Sequence, residues 1–165
     1  MNGNSAFAKL LRAFERYYTV SMEQTAAPFV AEAEFRSHGE QYVFVKAAKV
    51  ADIDSNEFVF FYMDEGISPL TPQKIVGLAE TAWSRGLERI TPYYGHRNSD
   101  VALVVLSRAF SEESFRQIKK LSFYKSYKFG LYGWSAFRAL GYEISTGRAV
   151  TNRRGSALKN LTAQL

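Results

Sequence analysis

The 165-residue chain, 18.7 kDa, has the size of one domain and can bury about 70% of its unfolded surface, so it needs no disulfide or metal staple to fold. Its 47% hydrophobic and 15% aromatic content excludes a disordered or collagen-like chain, and its net charge of +5 leans toward anionic partners. With no cysteine, and His38 and His96 as its only histidines, it excludes disulfides, thiolate zinc, iron–sulfur clusters, cysteine nucleophiles and histidine-rich metal sites; any metal would sit on oxygen ligands.

The first predicted element is an amphipathic helix over Ser5–Tyr18, capped by Asn4 or Ser5. Phe7, Leu10, Leu11, Phe14, Tyr17 and Tyr18 recur at offsets of three and four, with Lys9, Arg12, Glu15 and Arg16 between them. From Phe29 to Arg36 the period falls to two, with Phe29, Ala31, Ala33 and Phe35 on one face and Val30, Glu32, Glu34 and Arg36 on the other. Ser37–Glu40 reads as the turn of a hairpin whose second strand is Gln41–Val50, and Ala51–Asn56 as the next turn. Glu57–Met63 is apolar at nearly every position, as a strand covered on both faces requires. The front of the chain is therefore expected to be a helix followed by a three-stranded meander.

Thr71-Pro72 then supplies an N-cap with proline at the first helical position, opening a helix with an Ile75, Leu78, Ala79, Ala82, Trp83 stripe that ends near Gly86. Tyr93–Asp100 reads as a polar loop, and Val101–Phe110 as a second fully covered strand. Ser111-Glu112-Glu113 opens a third helix, with Phe115, Ile118 and Leu121 on its apolar face and Lys119 and Lys120 at its basic end. Strand, helix, strand implies a parallel crossover. Ser135–Ile144 is a strand, Ser145-Thr146-Gly147 a turn, Arg148–Asn152 a short return strand, and Ser156–Leu161 a last helical turn. The fold expected is α/β (α+β): one mixed sheet with helices packed on it, residues 1–165 forming one domain and 123–165 its basic, aromatic C-terminal segment. The N-terminus lacks the basic start and apolar run of a signal peptide, and no apolar stretch nears the roughly 20 residues that cross a bilayer, so a cytoplasmic protein with no membrane partner is expected.

From Ser111 onward ten Lys and Arg stand against three Asp and Glu. An excess of this kind attracts nucleic acid or another polyanion by counterion release, and also serves as a plain solvated face. Within it, Phe123–Arg138 interleaves rings with cations: faces for bases, charges for phosphates. Tyr124, Tyr127 and Tyr132 are the expected stacking rings; Lys125, Lys128, Arg138, Arg148, Arg153 and Arg154 the expected phosphate contacts. The same stretch also reads as packing, with Phe129, Leu131, Trp134 and Phe137 in the core and Gly130 and Gly133 allowing a tight bend, or as the face of a homodimer. Asn152–Ser156 puts two guanidinium groups beside a helix start but has no P-loop or dinucleotide-fingerprint spacing. Ser99 near His96 and Asp100 is no triad by sequence proximity alone.

The opening order of helix, meander, helix and strand resembles the core of the restriction-endonuclease-like (PD-(D/E)XK) fold over the first two-thirds of the chain. That resemblance implies phosphodiester hydrolysis, with strand carboxylates holding Mg²⁺ and a lysine two residues after one of them helping to activate water. The chain departs from the motif: in Glu57–Met63 no acid is followed two residues later by lysine, and Gln41–Val50 carries Lys46 and Lys49 with no acid before Asp52. A displaced site would draw on Glu15, Glu32, Glu34, Asp52 and Asp54, with Mg²⁺ or Mn²⁺ as its only cofactor. The C-terminal runs Gly130-Leu131-Tyr132-Gly133-Trp134, Ile144-Ser145-Thr146-Gly147 and Asn152-Arg153-Arg154-Gly155 look like a small family of uncharacterised prokaryotic proteins, which carries no activity. The leading expectation is a non-catalytic domain without cofactor that binds nucleic acid or another polyanion through its basic aromatic end; the alternatives are a divergent nuclease and a homodimeric interaction module.

Overall fold

The structure, a computed structural model, describes residues 3–36, 55–94 and 98–165. The chain runs through helix α1 (Gly3–Glu15), strands β1 (Thr19–Ser21), β2 (Ala31–Arg36) and β3 (Ser55–Asp64), helix α2 (Pro72–Glu88), strand β4 (Asn98–Ser107) and helix α3 (Glu112–Lys120). Strand β5 (Tyr124–Ser126), a 3-10 turn (Lys128–Gly130), strands β6 (Trp134–Glu143) and β7 (Arg148–Thr151) and a 3-10 helix (Arg153–Thr162) follow. The seven strands form one mixed sheet in the order β1-β2-β3-β4-β6-β5, with β7 beside β5 on the outer side of β6. The α/β architecture expected from the apolar periodicities is thus present.

Three parallel strands, β3, β4 and β6, form the middle of the sheet, and the crossovers between them are α2 and α3. Both helices pack on one face, where Ile75, Leu78, Phe115 and Ile118 meet Phe60, Leu103 and Phe137. On the other face, Phe7, Leu10 and Phe14 of α1, with Leu158 and Leu161 of the 3-10 helix, cover Phe61, Val104 and Leu140. Every residue of β4 is buried, which is why its sequence shows no alternation. The hairpin at the C-terminus joins this sheet: β6 lies against β4 along its length, and β7 returns antiparallel to it.

The meander is made differently from the sequence expectation. β2 pairs antiparallel with β3 in a register of Glu32 to Phe60 and Glu34 to Phe58, while its other side takes the three-residue strand β1. The expected second hairpin strand, Gln41–Val50, and most of the turn after it lie outside the described residues. The expected polar loop also ends early, since Asn98, Ser99 and Asp100 open β4 and are buried. β1 and β5, three residues each, are too short for a period to register.

Candidate functional site

Helix α3 is capped by the Ser111 hydroxyl, which accepts from the Ser114 amide at 3.1 Å, and it carries Glu112 and Glu113 in its first turn and Lys119 and Lys120 in its last. This order matches the helix dipole and gathers positive charge where the helix ends. Leu121 buries the exit, and Phe123 is held by Trp83, ring centroids 5.7 Å apart, and by Phe137 at 5.0 Å. The chain then emerges as β5 on the edge of the sheet, with Tyr124, Lys125 and Ser126 all exposed.

Opposite this exit stands Asn152, at the end of β7. Its side chain is buried and fully hydrogen-bonded: Oδ1 accepts from the amides of Ala139 and Gly155, and Nδ2 donates to the carbonyls of Leu121 and Phe137, each at 2.9 Å. One residue thereby ties β6, the end of α3 and the start of the 3-10 helix. Gly155 completes the joint, since a Cβ there would fall 2.6 Å from the Ala139 carbonyl oxygen. The result is a groove of about 610 Å³ lined by Lys119, Lys120, Leu121, Ser122, Asn152, Arg153 and Arg154, with no carboxylate in its wall among the described residues. Four cations converge from two elements, and Arg154 lies over the Tyr124 ring at 5.6 Å, while Tyr124 keeps 57% of its surface in solvent.

Beyond β5 the chain makes a tight turn in which Lys128 (φ 49°), Phe129 (φ 55°) and Gly130 (φ 88°) are all left-handed. Backbone hydrogen bonds from Tyr127 N to Gly133 O (2.9 Å) and from Tyr132 N to Tyr127 O (3.1 Å) close it. Phe129 is fully exposed at its tip, and Leu131 and Tyr94 are exposed beside it, with Tyr94 edge-on to Tyr132 at 6.3 Å. The packing expectation holds for Phe137 and fails for Phe129 and Leu131: the left-handed turn swings both out of the core.

The predicted binding residues divide accordingly. Tyr124, Arg153 and Arg154 meet at the groove, Lys125 lies on β5 between it and the turn, and Lys128 opens the turn. Tyr127 is half-buried, its hydroxyl bonded to Ser135 Oγ at 2.8 Å with Lys125 over its ring, and Tyr132 is half-buried behind Tyr94. Arg148 pairs with Glu112 at 2.6 Å over the Phe115 ring, and its hydrogen bond holds the Glu112 carboxyl below the usual range.

Arg138 lies elsewhere, on the α1 face of the sheet, bonded to Glu57 at 2.9 Å and Asp100 at 2.7 Å, so its charge is taken up by two carboxylates. Asp100 also accepts from Asn98 Nδ2 and from the Ala136 amide, both at 3.1 Å. Burial is the main cause that raises the Glu57 pKa, against the pull of Arg138. The buried Tyr18 phenol faces that carboxylate and is itself pushed up, chiefly by burial. Oε1 of Glu57 still lacks a hydrogen bond of good geometry among the described residues. The cluster therefore ties the starts of the three parallel strands together. Its signal in the sequence is slight: each of the three charges stands in or beside an otherwise apolar strand.

Of the displaced nuclease set, Glu32 and Glu34 share one partner, Arg89, at 2.8 and 3.5 Å, on the α2 face of the sheet. Glu15 is exposed at the end of α1, and Asp52 and Asp54 lie outside the described residues. Among the described residues no group of three or more acids or histidines is placed to hold a metal ion, and no helix is long and apolar enough to cross a membrane. Sequence reasoning missed Lys119 and Lys120 as partners of Arg153 and Arg154, because only the Asn152 joint brings residues over thirty positions apart to one groove.

A family model matches residues 2–164, and its description is that of a domain of unknown function, in agreement with the likeness to an uncharacterised family. No curated protein and no solved structure matches the chain.

Proposed function

The chain belongs to the DUF8052 family, and for this member we propose a binding role in which the groove between α3 and the 3-10 helix takes the phosphates of a polyanion, nucleic acid foremost. The observation that carries this reading is the convergence of Lys119, Lys120, Arg153 and Arg154 on one groove whose wall, among the described residues, holds no carboxylate. Four like charges held close repel one another, and a bound polyanion relieves that repulsion while releasing its own counterions. Arginine adds bidentate geometry for phosphate oxygens, and the two lysines add point charges.

The test is fluorescence anisotropy of labelled single- and double-stranded oligonucleotides against the full chain, at low and near-physiological salt. Saturable binding that weakens with salt is expected. Replacing Arg153 and Arg154 together by alanine should weaken it and lower the slope of log K against log salt by about 1.4 for a single strand. Affinity unchanged by that double substitution would remove the groove from the function.

A further inference from the structure

Resting on that reading of the groove, we propose that the ligand is a single strand of nucleic acid, whose bases leave the groove over Tyr124 and stack at the Phe129 turn. The phosphate groove does not end blindly. Arg154 lies over the Tyr124 ring, so the last cation of the groove and the first exposed ring are in contact. From Tyr124 the exposed edge strand β5 runs directly into the turn, with Lys125 and Lys128 alternating with the rings along this path.

The turn presents its ring at a cost. Lys128 and Phe129 are non-glycine residues in the left-handed region, a conformation L side chains disfavour, and Phe129 gains no packing there, since its ring is fully exposed. A buried ring would repay the strain through apolar burial; this one meets only solvent in the free protein. Lys125 and Lys128, on the approach to it, favour an anionic partner with flat apolar faces, which describes unpaired bases on a phosphate backbone. A duplex offers the same phosphates to the groove but keeps its base faces inside the stack, so the turn discriminates for single strands.

Three probes separate this inference from the reading beneath it: a labelled twelve-nucleotide oligothymidylate, a twelve-base-pair duplex and inorganic polyphosphate, titrated against the full chain and its variants. Phe129→Ala should weaken oligothymidylate binding on the order of five- to a hundredfold, the loss expected for one stacking ring, while Phe129→Trp retains it. Polyphosphate and duplex binding should stay as in the unsubstituted chain. Phe129 is fully exposed, so the alanine variant should keep the parent melting curve, which shows that a lost contact is the cause. Equal affinity for strand and duplex, or strand binding unaffected by Phe129→Ala but lost with the Arg153 and Arg154 double substitution, overturns the single-strand inference and leaves the groove reading standing. No binding of any probe by the unsubstituted chain overturns both. A dimer in sedimentation that Phe129→Ala dissociates, with oligothymidylate binding unchanged, assigns the turn to self-association instead.

Discussion

At the scale of single residues, Asn152 holds the groove together. Its four hydrogen bonds use both lone-pair directions of the amide oxygen and both protons of the amide nitrogen, and they reach backbone groups of three segments: the end of α3, β6 and the 3-10 helix. Asn152→Ala leaves buried donors and acceptors without partners and should cost about 3 kcal/mol in urea unfolding. Asn152→Asp should be worse, since it turns a donor into an acceptor against the carbonyls of Leu121 and Phe137. The Arg138 cluster responds differently. Arg138→Met strands two carboxylates that keep only 6% of their side-chain surface in solvent and should cost about 3–5 kcal/mol by the same measurement. Glu57 titrates above the ordinary carboxyl range when folded, so the folded state holds its proton more tightly than the unfolded one. Its contribution to stability is complete at low pH and is lost as pH rises from the ordinary carboxylate range through the raised value. Glu57→Gln should therefore flatten the fall of unfolding free energy across that window, read from denaturant melts at stepped pH.

At the scale of elements, the long ones were legible and the joints were not. Thr71 and Ser111 cap α2 and α3 as their spacing predicts, because capping needs only a residue and the amide three positions on. The apolar runs that became β3 and β4 announced strands buried on both faces. A three-residue edge such as β5 has no period to read, and the left-handed turn after it depends on two non-glycine residues that propensity would never place there. The 3-10 helix is positioned by close approach: a Cβ at Gly155 would meet both the Ala139 carbonyl and the Asn152 amide oxygen. Gly155→Ala should push the start of this helix off β6, destabilising the fold by about 2 kcal/mol and moving Arg153 and Arg154 out of line with Lys119 and Lys120. Unfolding curves and polyphosphate titration of this variant check both effects.

At the scale of the whole molecule, the basic C-terminal end is part of the core and not an appended tail. Leu158 and Leu161 are buried against α1 and the sheet, alongside Phe7, Val104 and Leu140. Removing residues 153–165 withdraws two leucines worth about 1.5–3 kcal/mol each, much of the margin by which a small protein is stable. That truncation should abolish or sharply lower the cooperative thermal transition followed by circular dichroism, where loss of a mere binding arm would leave it unchanged. By itself, the sequence determined the class of the fold and the order of its principal elements, since those follow from local periodicity and capping. It also determined the excess of cations at the C-terminal end. Only the tertiary structure decided where those cations act: Arg138 turned in to neutralise two buried carboxylates, Arg148 paired with Glu112, and Arg153 and Arg154 set across from Lys119 and Lys120. The reason is physical. A charge takes its role from the groups that face it in space, and in this sheet those groups come from strands and helices distant in the chain.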